Sequence, residues 1–268
     1  MFMRTIFLAD AHLVSPADHN YRLLLQFLSG LEGNTENLFI MGDLFDFWLG
    51  FPSNPLRQYD AVLVALQSLR QSGCRLIYFE GNHDFHLGDL FHKRLAAEIH
   101  TGPSIVDLQG KRLFLCHGDQ INHADYGYRL LRLLLHNPLT AAAIANFPPS
   151  LAISIKERLQ KTSRVGYQAK VERWDYRKII CDFALSVQQQ GCDGLITGHF
   201  HLGFIEELVN PPFTIISLGD WMEQFTFGEM VEGKLLLKSY KPEEVISRKT
   251  PPKPARPLAG LLFSISPD

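Results

Sequence analysis

Seven residues of the kinds that bind divalent metals stand at the ends of short apolar runs. TIFLADAH places Asp10 and His12 two apart, and therefore on one face of an extended chain. NLFIMGD delivers Asp43, LIYFEGNHD delivers Asn82 with His83 and Asp84 behind it, and RLFLCHGD delivers His117. GLITGHFH delivers His199 and His201, again two apart. Mixed oxygen and imidazole donors suit manganese, iron or zinc better than calcium or magnesium alone. No cysteine stands at any tip, which argues against a structural zinc site. Seven donors exceed what one such ion takes but suffice for two if a carboxylate bridges. A pair of ions about 3.5–4 Å apart can clamp a phosphoryl group, generate the nucleophile and stabilise attacking and leaving oxygens together. Taken singly each signal is weak, because a histidine at a strand end can be structural and Asp43 can be a cap. The force lies in the ordered set.

The elements that must position these residues follow from the same runs. Thr5–Ala9, Leu38–Met41, Leu76–Phe79, Arg112–Cys116, Gly194–Thr197 and Thr214–Leu218 have the length and flanking turn residues of buried strands. Tyr21–Leu31, Tyr59–Ser72 and Lys178–Gln190 repeat apolar residues at helical spacing. Alternating strands and helices predict an α/β fold, with the donors in the crevice beyond the carboxyl ends of the strands. From Asp125 to about Lys178 the pattern is helical and too long for an ordinary connection, so it reads as an insertion. From Lys241 the chain is proline-rich and basic, and reads as an extended tail.

The bulk numbers exclude little. Hydrophobic residues make up 46% and charged residues 20% of 268, and a net charge of -2 gives no global reason to expect nucleic-acid binding. Cys74, Cys116, Cys181 and Cys192 form no CxxC pair and read as reduced thiols, mostly buried, which favours a reducing compartment. The N-terminus enters a strand at once without signal-peptide character, and no apolar run reaches the ~20 residues of a membrane span. The expectation is a cytoplasmic protein.

The ordered motifs resemble the calcineurin-like metallophosphoesterases, whose pattern is DxH, GD, GNH(D/E), H and GHxH. They correspond to Asp10–His12, Gly42-Asp43, Gly81-Asn82-His83-Asp84, His117 and Gly198–His201. The resemblance implies a four-layer α/β/β/α sandwich, with a domain of residues 1–240, a helical insertion over about 122–178 and a tail of 241–268. It implies that Asp10, His12 and His201 hold one ion, that Asn82, His117 and His199 hold a second, and that Asp43 bridges. His83 would touch the phosphate as general acid or charge stabiliser, oriented by Asp84; a carboxylate partner raises an imidazole's pKa and fixes its ring.

Finer features are similar to one branch, the bacterial UDP-2,3-diacylglucosamine diphosphatases of lipid A synthesis. GDLFDFWLG (42–50) and HGDQINHADYGYRLLRLLLHNP (117–138) carry this, with a helical insertion in the same place. That branch cleaves the pyrophosphate of a UDP-linked glycolipid, typically with manganese, at the inner-membrane surface. It usually has arginine where this chain has His83. The resemblance makes Asn82, His83, Asp125 and Tyr128 substrate contacts, although Asp125 could equally cap the following helix. Lys161, Ser163, Arg164 and Lys170 are candidates for the phosphates or uridine, and Trp48 for an apolar path beside the metals. Arg129, Arg132, Lys156 and Arg158 could meet anionic lipid heads. Competing readings are a phosphoesterase of nucleotides or phosphoproteins, and a non-catalytic scaffold of the same fold.

Overall fold

The computed structural model describes residues 4–49, 57–135, 137 and 173–242. The first half runs β1 (Arg4–Leu8), α1 (His19–Leu31), β2 (Asn37–Ile40), β3 (Trp48–Leu49), α2 (Asp60–Gln71), β4 (Arg75–Phe79) and β5 (Asp84–Phe85). Then come α3 (Gly88–Leu95), β6 (Glu98–His100), β7 (Ser104–Leu108), β8 (Lys111–Cys116) and α4 (Tyr126–Leu135). The last part is α5 (Tyr176–Gln188), β9 (Gly194–Thr197), β10 (Gly203–Val209), β11 (Pro212–Leu218), β12 (Thr226–Val231) and β13 (Lys234–Ser239).

Side-chain alternation along the strands decides the layers. In β1, Ile6 and Leu8 join a core with α1 and α2, whereas Phe7 and the following Ala9 face the second sheet. The same division recurs in β2, with Leu38 and Ile40 against Phe39 and Met41, and in β4, with Leu76 and Tyr78 against Ile77 and Phe79. From the other sheet, Leu113, Leu115, Ile196, Ile216 and Leu218 meet this central core. Their alternates Leu195, Phe213 and Ile215 pack with Ile180, Ala184 and Val187 of α5. Three cores separate four layers, α/β/β/α. Strands with both faces covered read as unbroken apolar runs, which is why they stand out in the sequence.

The first sheet has the order β13-β12-β1-β2-β4-β6 and the second β10-β11-β9-β8-β7. β1, β2, β4 and β6 are mutually parallel, as are β8, β9 and β11. All the strands that carry donors therefore end toward the same rim. The six strands and three helices expected from the sequence are present with ends shifted by no more than two residues. The hairpin β12–β13, the edges β6, β7 and β10 and the short helix α3 are additions. All four thiols are free, with Cys74, Cys116 and Cys192 buried. No described helix is long and apolar enough to cross a membrane. Most of the expected insertion and the tail from residue 243 lie outside the described residues.

Candidate metal centre

The donors are presented by abrupt backbone reversals. Asp10, His12, Asp43, His199 and His201 all adopt the left-handed conformation, with φ between 43° and 71°. For residues with a β-carbon this costs about 1–3 kcal/mol each, and it persists only where surrounding structure over-determines it. Here it does. Asp10 N–H donates to the Gly42 carbonyl at 3.1 Å, His12 N–H to the Asp43 carbonyl at 2.9 Å, and Trp221 N–H to the Asp10 carbonyl at 3.0 Å. The loops interlock closely enough that a β-carbon at Gly198 would lie 2.6 Å from Asp10 Oδ2 and one at Gly81 would strike the Asp43 carboxylate.

The side chains converge in overlapping groups. Donor atoms of Asp10, His12 and His201 lie within 4.8 Å of one another, and so do those of Asp43, His117 and His199. A third group joins His12, Asp43 and His83, so Asp43 belongs to two groups. Its Oδ2 is 3.7 Å from His12 Nε2 and 3.5 Å from His117 Nε2. Asp10 Oδ1 is 3.9 Å from His12 Nε2 and 3.8 Å from His201 Nε2. Its other oxygen accepts from His199 N–H at 2.8 Å, while Asp43 Oδ1 accepts from His83 N–H at 2.9 Å. Each carboxylate is thus fixed through one oxygen and offers the second to the cluster.

This donor set fits divalent metal. Asp10 Oδ1 and His12 Nε2 are buried without a hydrogen-bond partner among the described residues, a costly state that a bound cation would relieve. His117 Nδ1 lies 2.8 Å from the Met41 carbonyl, which can only accept, so a neutral His117 directs an Nε2 lone pair inward. There it faces Asn82 Oδ1 at 3.1 Å, an acceptor against an acceptor unless a proton or a metal stands between them.

Charge in the metal-free cluster points the same way. Burial drives His12 well below the usual imidazole range, lowers His201, and takes His199 to about 3 with help from His117. Burial alone would also lower His117, but Asp43, Asp10 and Asp119 reverse this and raise it to about 9. For Asp10, burial lifts the carboxyl well above its usual range against the pull of His117. For Asp43, burial is outweighed by His117, His83 and His12, and the carboxylate stays ionised. Most of the imidazoles are therefore neutral lone-pair donors around a buried anion.

Four sequence expectations need correction or relocation. Asp84 does not orient His83. Its carboxylate accepts from the backbone N–H of Asp43 at 2.9 Å, Gly81 at 3.0 Å and Phe45 at 3.2 Å, and from the Tyr78 hydroxyl at 2.5 Å. Burial and Asp43 raise its pKa to about 7, so it acts as an internal brace of the Asp43 loop. His83 is instead oriented by the Asp46 carbonyl, 2.9 Å from Nδ1. Trp48 does not line a substrate path, because it is wholly buried against Phe45, Tyr59 and Phe91. Arg132 does not face a membrane, because its Nε donates to Asp119 at 2.6 Å. Asp125 takes the capping role, with Oδ1 accepting from Tyr128 N–H at 3.1 Å at the start of α4. Tyr128 does approach the centre, its ring 5.9 Å from that of His199. Lys161, Ser163, Arg164 and Lys170 lie outside the described residues. The sequence does not single out Asp119 or Tyr78; Asp119 sits in the HGD motif, whereas nothing local marks Tyr78.

Comparison with known proteins agrees with this geometry. The model of a family described as calcineurin-like phosphoesterase matches residues 3–203. A protein of Aeromonas salmonicida (strain A449) named UDP-2,3-diacylglucosamine hydrolase is 33% identical over 230 residues, covering 83% of this chain and 87% of that protein. One of the same name from Pseudomonas paraeruginosa (strain DSM 24068 / PA7) is 31% identical over 225 residues, covering 83% and 92%. Among solved structures, a novel archaeal phosphodiesterase aligns over 88% of this chain and 99% of its own, at 14% identity and a TM-score of 0.43. With a family match over most of its length, relatives above 30% identity and the expected donors gathered at one rim, the chain belongs to the calcineurin-like phosphoesterase family of metal-dependent hydrolases.

Proposed function

We propose that the protein hydrolyses the pyrophosphate of UDP-2,3-diacylglucosamine, giving UMP and 2,3-diacylglucosamine 1-phosphate, in the lipid A pathway. The observation that carries the reaction class is the shared position of Asp43 between two donor groups. The substrate is carried over from the relatives' name. Asp10, His12 and His201 would hold one ion, Asn82, His117 and His199 the second, and Asp43 both. Two divalent ions, manganese in this reading with iron or zinc as alternatives, supply charge neutralisation and nucleophile generation when bound.

The chain's own residues supply the rest. With Nδ1 engaged by the Asp46 carbonyl, His83 directs Nε2 into the site, where it would meet a phosphoryl oxygen as general acid or charge stabiliser. The Asp84 brace holds the Asp43 loop rigid, so the reacting groups meet in one geometry. α4 begins the insertion that reads the rest of the substrate, and Tyr128 brings it to the edge of the centre. Its exposed Tyr126, Leu130 and Leu133 support contact with apolar chains, and with them a peripheral position on the cytoplasmic face of the inner membrane.

The test is UMP release from UDP-2,3-diacylglucosamine by metal-free protein resupplied with manganese, beside unacylated UDP-N-acetylglucosamine and a generic phosphodiester. Fast, manganese-dependent release from the diacylated substrate alone is expected. Hydrolysis of the generic ester without the lipid would move the substrate elsewhere, with His83 in place of the branch's arginine as the first suspect.

A further inference from the structure

α4 leaves a row of large apolar side chains in solvent. At 100° per residue, Tyr126, Leu130 and Leu133 share one face, and Tyr128 and Arg132 share the opposite one. A surface helix normally turns its apolar stripe inward. Here Tyr128 and Arg132 dock, while Tyr126, Leu130 and Leu133 are 75%, 60% and 69% exposed. One carboxylate anchors the docked side twice. Asp119, buried in the loop after β8 two residues beyond His117, accepts from the Tyr128 hydroxyl at 2.7 Å and from Arg132 Nε at 2.6 Å. The two donors are one turn apart, so a single acceptor fixes both the height and the rotation of the helix. Arg132 is itself tied down, donating from Nη2 to the Thr101 carbonyl at 3.3 Å ahead of β7.

We propose that Asp119 is a positioning residue for substrate selection. By clamping Tyr128 and Arg132 it registers α4 against the loop that carries His117, and it holds the helix with Tyr126, Leu130 and Leu133 outward. The phosphate site and the helix that reads the remainder of the substrate then keep a fixed separation. This rests on the proposed substrate in one respect only, namely which molecule the helix reads. Asp119 touches no reacting atom in this account; beside its charge near His117 it acts through α4, and Arg132→Gln isolates that second role.

The test compares wild type, Asp119→Asn and Arg132→Gln in the full-length, manganese-loaded protein. Asp119→Asn keeps the size of the side chain and removes the charge that strengthens both bonds. Backbone hydrogen exchange over residues 126–135 should accelerate at least about tenfold in either variant, with β8 and β9 unchanged, because the docking of α4 is a local equilibrium. In steady-state assays, KM for UDP-2,3-diacylglucosamine should rise at least about tenfold with kcat within about threefold, since the loss is in uniform binding. The lipid-linked substrate should lose at least about ten times more kcat/KM than a small phosphodiester. Arg132→Lys, which keeps the charge without the guanidinium fork, should recover part of both effects.

Unchanged exchange in α4, or equal losses on both substrates carried in kcat, would overturn the proposal. If Asp119→Asn fails to fold, Arg132→Gln alone decides, since it removes the same contact from a less buried partner. If wild type does not hydrolyse the lipid, the assigned substrate falls, and hydrogen exchange still decides the role of Asp119.

Discussion

The donor platform and α4 are attached to the same rim by opposite means. The platform is built from backbone: strand ends that reverse through left-handed residues, N–H groups that fix one oxygen of Asp10 and Asp43, and the buried Asp84 brace beneath them. α4 is held by side chains, through Asp119, Tyr128 and Arg132, and leaves Tyr126, Leu130 and Leu133 exposed. A backbone platform tolerates almost no movement, which suits groups that must hold reacting atoms to within a fraction of an ångström. A side-chain anchor can be re-tuned by one substitution, which suits the part that distinguishes substrates. The comparison predicts that damage to the platform lowers turnover, whereas damage to the anchor alters selection.

The largest effect belongs to Asp43. Asp43→Ala should lower kcat by at least about 10³-fold and reduce bound metal, because it removes the carboxylate shared by two groups. Near-normal turnover in this variant would break the platform half of the comparison. Gly81→Ala should cost roughly 10²-fold in kcat, since the added β-carbon strikes the Asp43 carboxylate and displaces it. Its crystal structure should show the Asp43 loop moved, with α4 in place.

Metal binding should also depend on pH, with a sign that the cluster dictates. In the metal-free protein His117 has a pKa of about 9, so at neutral pH it carries a proton that ligation must displace. Affinity should therefore rise from pH 7 and level off near 9 as the His117 proton is released. Calorimetry in buffers of different ionisation enthalpy measures that proton, and affinity independent of pH over this range would place His117 outside the donor set.

Smaller effects separate bracing from packing. Tyr78→Phe removes one donor from Asp84 and should lower stability by about 1–3 kcal/mol in thermal or denaturant unfolding. Trp48→Phe should cost roughly 1–3 kcal/mol through lost core volume while KM stays within about twofold. A large rise in KM with unchanged stability would return Trp48 to the substrate path.

Much of the platform is legible in the sequence because its chemistry is local. An apolar strand followed within a few residues by its donor can be read from one short segment, and TIFLADAH and GLITGHFH each contain a strand, a reversal and two imidazole or carboxylate groups. The layers are legible for the same reason, as strands covered on both faces are continuous apolar runs. Relations between segments are not. Asp84 follows His83 directly, so adjacency suggests a pair, but its side chain points under the Asp43 loop toward partners at 43, 45 and 78. Trp48 adjoins the donors in sequence and turns into the core. The hairpin β12–β13 follows a strand of the second sheet yet completes the first, pairing with β1, a connection no local pattern carries. Arg132 reads from the sequence as a contact for anionic lipid heads because the helical pattern gives its face but not its partner.

The central claim is that one rim holds two metal ions with Asp43 between them. It is tested most directly by anomalous diffraction from crystals of the manganese-loaded protein. The account predicts two peaks about 3.5–4 Å apart. One should lie among Asp10, His12 and His201, the other among Asn82, His117 and His199, with an Asp43 oxygen in reach of both. A single peak, or a pair that leaves Asp43 unligated, would contradict it.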